Sequence, residues 1–351
     1  MRAAVFESFR GNLQVKQVAD PQVRRDSAVI QVEACGICRS DWHGWMGHDS
    51  DVQFPHVPGH ELAGVVAEVG KDVTGWKCGD RVTVPFCCGC GRCGQCLAGQ
   101  HHICDNFMQP GFTAWGAFAE LVEIRFADVN LVKLPESIDA VTAASLGCRF
   151  ATSFRAVIHQ GKVTAGDVVA VHGCGGVGLS AVMIAAAAGA RVIAIDLDDE
   201  RLSLATDCGA DLVLNAGHIE DVPAAIVDAA AGGASLSIDA LGSHQTCANS
   251  ILCLRKRGRH VQVGLTMGDE ADPPISMSTV VARELQLYGS HGMQAFEYAP
   301  MIRMIESGRL RPDKLIGSTV SLDAACEILP RMNDFPGCGV TVIDRFHETP
   351  E

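Results

Sequence analysis

The sequence predicts an α/β protein in which a doubly wound, parallel, six-stranded nucleotide-binding sheet is joined to a β-rich domain. Three observations predict it. The chain has 351 residues, more than one hydrophobic core usually organises, so two domains are expected. From about residue 150, short β-branched runs alternate with Ala-rich helical stretches, the pattern of a sheet covered by helices on both faces. Within that half, Gly173-Cys-Gly-Gly-Val-Gly178 follows a strand-like run and opens a helix-like one, which is the context a dinucleotide loop requires.

The first 34 residues hold alternating runs such as Leu13–Val18 and Ala28–Glu33, which read as half-buried strands. Gly64–Val69, the turn Gly70–Gly75 and Asp80–Val84 continue an all-β domain with glycine-rich corners. The second half begins with the strand Val168–His172, the glycine loop, a helix from Leu179 to Ala188 and a strand, Arg191–Asp196, that ends in an acid. Further strands are expected at Asp211–Leu214, Leu236–Leu241, His260–Gly264 and Glu284–Tyr288, which brings the sheet to six. A helical segment, Phe296–Glu306, the run Ser321–Leu329 and a last strand, Gly339–Asp344, read as a return to the first domain. The expected organisation is therefore residues 1–149, β-rich; 150–288, dinucleotide-binding; and 289–351, rejoining the first part.

A formal net charge of -13 argues against nucleic acid or an anionic membrane as the partner, since both reward a basic face. A small uncharged substrate fits better. The first twelve residues lack the apolar core of a signal peptide, and every long apolar run is broken by glycine or charge, so a soluble cytoplasmic protein is expected. Sixteen cysteines in such a chain point to metal ligands and reduced core thiols more than to disulfides.

Two groups of metal-ligating residues stand out. Between Cys38 and Glu61 the chain offers a thiolate (Cys38), an imidazole (His60) and a carboxylate (Glu61), the inventory of an open zinc site that still needs one ligand from elsewhere. Cys90, Cys93, Cys96 and Cys104, in a lobe of about residues 87–106, have two-residue spacers and interleaved glycines that let a tight loop aim four sulfurs at one point. Four thiolates satisfy tetrahedral zinc completely, so this second site is expected to be structural. Cys87 and Cys88 are left out of it because adjacent residues project in different directions, and Cys35 is read as a packing thiol.

Gly36-Ile-Cys-Arg-Ser-Asp41, Gly59-His-Glu-x2-Gly64-x5-Gly70, the four-cysteine lobe, Leu146-Gly-Cys148 and the Gly173–Gly178 loop occur here in one order. In these marks the chain resembles the zinc-dependent medium-chain alcohol dehydrogenases over its whole length. The resemblance implies a GroES-like catalytic domain completed by the C-terminal tail, a nucleotide domain inserted between, and a cleft that holds zinc and nicotinamide. It also implies Cys148 as the missing ligand of the catalytic zinc, hence two zinc ions per chain. Related polyol and threonine dehydrogenases often carry a glutamate there, so Cys148 favours a simple alcohol or aldehyde as substrate. Arg149 departs from relatives that carry glycine at this place; it either alters the pocket or pairs with a local acid. Glu61 is expected behind the ligands or as a transient one, with Asp41 accepting the free ring N–H of His60.

Zinc lowers the pKa of a bound hydroxyl, so an alcohol can lose its proton near neutral pH and the alkoxide can expel hydride to the nicotinamide. Ser40 is placed to take that proton, and the resemblance implies that His43 passes it to solvent through the nicotinamide ribose. In the loop, Gly173 allows the turn, Gly175 lets the backbone approach the pyrophosphate and Gly178 packs the helix on the sheet, with Gly176 between them. Asp196 can accept from the adenosine ribose and would repel a 2′-phosphate, which predicts NAD over NADP. Arg39 is a natural pyrophosphate partner and Arg201 is assigned to the same cofactor, while Thr152 and Val177 enter by resemblance alone. Phe86, Trp115 and Trp42 are expected as apolar walls near zinc and Leu265 on the nicotinamide side. His48, His101, His102, His159, His172 and His218 are read as structural or exposed. Relatives of this length imply a homo-oligomer, a tetramer or a dimer. Two other readings are a polyol, amino-acid or other specialised dehydrogenase on the same scaffold, and a redox-silent nucleotide-binding relative, which would lack catalytic zinc ligands.

Overall fold

The structure is a computed structural model that describes residues 1–334 and 337–347. In chain order its strands are β1 (Arg2–Val5), β2 (Gln14–Gln17), β3 (Ala28–Gly36), β4 (Glu61–Val69), β5 (Arg81–Thr83), β6 (Leu121–Ile124), β7 (Val132–Lys133), β8 (Val168–His172), β9 (Arg191–Asp196), β10 (Leu212–Asn215), β11 (Ala234–Asp239), β12 (Leu254–Gln262), β13 (Gln286–Gly289), β14 (Ile316–Ser321) and β15 (Val340–Arg345). They divide between two compact units. One comprises Met1–Ala151, Gly292–Glu306 and Ile316–Glu351; the other comprises Thr152–His291 and Ser307–Leu315.

The first unit is built on a seven-stranded sheet in the order β14-β15-β3-β4-β5-β7, with β6 paired to β3. All its pairings are antiparallel except β14 with β15. β3 alternates Val32 and Ala34 towards the core with Gln31 and Glu33 towards solvent, the two-residue period of a half-buried strand. Phe6, Ile30, Ile37, Leu62, Phe118 and Ile124 fill the core beneath it.

The second unit is a six-stranded, fully parallel sheet in the order β10-β9-β8-β11-β12-β13. β8 is buried along most of its length, as an apolar run covered on both faces must be. The strand order reverses between β8 and β11, the switch point outside whose carboxyl ends such sheets bind ligands. Gly178 has no alternative in the glycine loop: a Cβ there would lie 1.7 Å from the Gly173 carbonyl oxygen.

Strand boundaries depart from those expected at several places, with β4 beginning at Glu61 and β11 running over Ala234–Asp239. β13 starts at Gln286, because Glu284 closes the preceding helix, Met277–Arg283, in the left-handed region at φ 48°. β12 begins at Leu254, well before His260. No helix among the described residues is long and apolar enough to cross a membrane.

Candidate active site

Helix α1 (Arg39–Met46) starts at Cys38, and its first turn is closed by Asp41, whose Oδ2 accepts the Cys38 backbone N–H at 2.9 Å. The other oxygen of Asp41 accepts Nδ1–H of His60 at 2.8 Å and the Gly59 N–H at 3.0 Å. One buried carboxylate thus fixes both the start of α1 and the ring of His60. His60 stands just before β4, and Cys148 lies in a π-helical turn, Leu146–Phe150, a backbone form concentrated at functional sites. Cys38 Sγ, a ring nitrogen of His60, Cys148 Sγ and a carboxylate oxygen of Glu61 all lie within 4.8 Å of one another.

This donor set suits zinc. His60 Nε2 is buried and makes no hydrogen bond, so its lone pair is left for a ligand that the protein does not provide. The Cys148 thiol donates to Cys38 and, against the pull of burial but with help from the Arg149 and His60 charges, holds Cys38 well below the ordinary thiol range. Cys148 is pushed up correspondingly, so the two sulfurs share a proton that a soft cation can displace. Burial opposes a charge on His60, yet Asp41 and Cys38 hold its pKa well above the usual value. The negative surroundings that favour a proton on Nε2 equally favour a metal cation that replaces it.

Behind the donors lies a buried ion pair. Glu61 Oε1 accepts from Arg149 Nε at 2.9 Å and from the Arg149 backbone N–H at 3.1 Å, and Oε2 meets Arg149 Nη2 at close range. Arg149 therefore pairs with a local acid, one of the two outcomes open from sequence, and it does so with the carboxylate next to His60. Burial still raises the pKa of Glu61, opposed by the guanidinium.

The four-cysteine lobe forms a second cluster, with Cys90, Cys93, Cys96 and Cys104 also within 4.8 Å of one another. Its sulfurs receive backbone N–H groups, Cys104 from Cys90 and Asn106 at 3.2 Å and Cys93 from Cys96 at 3.5 Å, as thiolates around a metal require. Cys87 and Cys88 point elsewhere, to the carbonyls of Met293 and Pro85.

Along α1, Ser40 and His43 are both partly buried and sit three residues apart, on one face. Burial first, then the Arg39 and His48 charges, lower His43 to about 4, with Cys38 opposing. Arg39 donates to the Met332 carbonyl at 2.9 Å and lies 4.6 Å over the Trp42 ring. The rings packed edge-on against His60 are Phe86, at 6.1 Å between centroids, and Phe112, at 5.4 Å. Phe112 was not foreseen, because no motif marks it. Trp42 packs against His43, while Trp115 is partly exposed and gives its indole N–H to the Pro55 carbonyl. His48, read from sequence as structural or exposed, is exposed, and its Nδ1 lies 2.9 Å from Nδ1 of His43.

In the second unit, helix Gly176–Ala187 has no side-chain cap at Gly175, so its first N–H groups and positive end are open to an anion. A Cβ on Gly175 would meet nothing within 4 Å, which leaves the backbone approachable. Asp196 accepts the Cys174 N–H at 2.6 Å with Oδ2 and the Leu197 and Asp198 N–H groups with Oδ1, pinning the loop to the end of β9. Thr152 carries a buried hydroxyl oxygen without a partner, and Val177 accepts the Ser153 hydroxyl at 2.7 Å. Leu265 is more than half exposed, and the Arg201 guanidinium lies 3.8 Å from Asp198. An uncapped helix start and an unpaired buried hydroxyl fit a dinucleotide.

Known proteins match this chain along most of its length. Residues 24–136 match the alcohol dehydrogenase GroES-like domain and residues 176–307 the zinc-binding dehydrogenase family. An alcohol dehydrogenase of Geobacillus stearothermophilus is 36% identical over 83% of this chain and 84% of its own. An L-threonine 3-dehydrogenase of Bacillus velezensis is 32% identical over 88% of each. A solved NAD-dependent alcohol dehydrogenase superposes with a TM-score of 0.89 at 30% identity, covering 99% of this chain and 100% of the other.

Proposed function

Since the chain belongs to the zinc-dependent medium-chain alcohol dehydrogenase family and is an oxidoreductase of that family, we propose that it interconverts small alcohols with aldehydes or ketones, using NAD. The observation that carries the proposal is the convergence of Cys38, His60 and Cys148 with a buried, unpartnered Nε2 on His60. In this reading those three hold the catalytic zinc, and Cys90, Cys93, Cys96 and Cys104 hold a structural one. Zinc, when bound, supplies a Lewis acid that makes a coordinated hydroxyl acidic, and NAD supplies the hydride acceptor.

The chain's own groups do the rest. Asp41 keeps His60 in the tautomer that presents Nε2. Ser40 takes the alcohol proton and His43, neutral at pH 7, passes it outward. Phe86 and Phe112 exclude water around His60 and, with Trp42, select substrates by size. Glu61, held by Arg149, balances the charge beside the donors. Gly173, Gly175, Gly176 and Gly178, together with Arg39, Thr152, Val177, Arg201 and Leu265, hold the dinucleotide. The acidic end of β9 at Asp196 supports NAD over NADP.

The test is an NAD-coupled screen over primary, secondary, aromatic and polyhydroxy alcohols and amino alcohols, with and without a zinc chelator. Simple alcohols should turn over fastest, NAD should exceed NADP in kcat/KM, and the chelator should abolish turnover. Fastest turnover of threonine would move the protein to the specialised branch of its family. We place it as a homo-oligomer, tetramer or dimer, in the cytoplasm. β13 is a sheet edge that no strand among the described residues covers, the helix Met277–Arg283 leaves Met277 and Val281 exposed, and light scattering gives the mass.

A further inference from the structure

The C-terminal end of α1 carries the further inference. Gly47 adopts the left-handed region at φ 86°, its N–H returns to the Gly44 carbonyl, and the His48 N–H returns to the His43 carbonyl at 3.0 Å. This is the paired closure that ends many helices, in which the second residue beyond the helix is laid against the residue five positions earlier. An apolar contact usually joins those two side chains. Here two imidazoles meet instead, Nδ1 to Nδ1 at 2.9 Å. Trp42 packs edge-on against both, at 5.0 Å from His43 and 5.6 Å from His48 between centroids, so neither ring swings freely. The inner ring is partly buried and the outer one exposed.

We propose that His48 is the outlet through which protons leave His43 for solvent, an inference that rests on the reading of His43 as a proton carrier. His43 takes a proton at Nε2 and yields the one on Nδ1 to Nδ1 of His48. His48 then yields its Nε2 proton to a buffer base. One passage leaves both rings neutral in the opposite tautomers, ready for a proton to travel inward when a carbonyl is reduced; exchange with water resets them for another oxidation. Among the described residues, Trp42 and His48 pack against His43, and the charges of Arg39, His48 and Cys38 act on it. Because burial and the Arg39 charge disfavour a proton on His43, it carries one without retaining it.

The experiment follows proton release to an indicator dye during a single turnover of the zinc-loaded enzyme with NAD and alcohol, in dilute buffer. H48Q should slow release at least about tenfold, a small share of the ~10²–10⁴ that general acid–base catalysis supplies, and added imidazole should restore it. Zinc content and NAD affinity should match the parent protein. In the cofactor-free protein, nitrogen-15 histidine spectra should show a hydrogen-bonded Nδ1 on His43 that H48Q abolishes. Release at the parental rate, slow release that imidazole fails to restore, or loss of zinc or NAD binding would each overturn the proposal. H43Q separates the layers: if it slows release while H48Q does not, only the outlet fails, and if neither slows it, the relay itself fails.

Discussion

The two metal-ligating clusters share chemistry but differ in how the chain makes them. Cys90, Cys93, Cys96 and Cys104 come from one loop of fifteen residues, offer four like donors, and are supported mainly by backbone N–H groups, with the Asn106 amide donating to Cys90. Cys38, His60 and Cys148 come from a helix start, a strand entry and a π-helical turn, and are supported by charged side chains, Asp41 and the Glu61–Arg149 pair. A closed set of thiolates needs only local geometry to hold its metal. An open set must also control charge and keep a position for substrate, which requires side chains from distant parts of the chain. The first arrangement secures structure; the second organises chemistry.

The largest expected effect breaks this comparison by removing one donor from the open cluster. Cys148→Ala should lower turnover by about 10³-fold or more, roughly 4 kcal/mol of barrier, and lower zinc from two ions per chain to one while the melting temperature stays nearly constant. Metal analysis and NAD-coupled kinetics on the same preparation check it. A full-rate variant would remove Cys148 from the ligand set.

Arg149→Met asks whether the charged support stabilises the fold as well as the site. Glu61 is fully buried and Arg149 nearly so, so removing the guanidinium strands a carboxylate in the interior, at a cost of about 3–5 kcal/mol in urea unfolding. Converting Glu61 to Gln in the same chain should recover most of the loss. A melt unchanged by R149M would show that Glu61 had found another partner.

In the four-cysteine lobe the expected balance is reversed. Cys96→Ser should cost about 2–3 kcal/mol of stability, a drop of roughly 3–4 °C in Tm, while kcat per folded molecule stays within a few fold. Thermal melts, together with kinetics below the transition, separate the two quantities. Turnover falling as far as in Cys148→Ala would erase the distinction between the clusters.

The same difference governs what could be read from sequence. The lobe's spacing and the glycine loop are local signals, and both took shape where the sequence placed them. The doubly wound sheet was legible because β8 and β9 are uninterrupted apolar runs at the expected spacing. The Glu61–Arg149 pair was not, since 88 residues separate the partners and no local pattern joins them. Phe112 was invisible for the same reason. The His43–His48 contact is another case: Gly47 followed by histidine, five residues after a helical histidine, carries a local geometric signal that ligand spacing does not reveal.

The smallest expected effect sharpens the comparison at one oxygen. Asp41 accepts from His60 Nδ1 and, with its other oxygen, from the Cys38 N–H, so it joins two donors of the open cluster that lie 22 residues apart. Asp41→Asn keeps a side chain of the same size and one carbonyl acceptor but removes the charge that holds the His60 N–H. Zinc affinity at the catalytic site should fall about 10–100-fold, roughly 1.4–2.7 kcal/mol, as seen when the acceptor behind a metal-bound imidazole is lost. In the lobe, Asn106→Ala removes a side-chain amide 3.7 Å from Cys90 and should leave zinc affinity nearly unchanged, because backbone donors remain. Competition with a chromogenic chelator measures both variants in one assay. Equal losses would mean that side chains beyond the ligands serve both sites alike; a loss confined to Asp41→Asn would show that only the open cluster depends on a buried charge to present its imidazole.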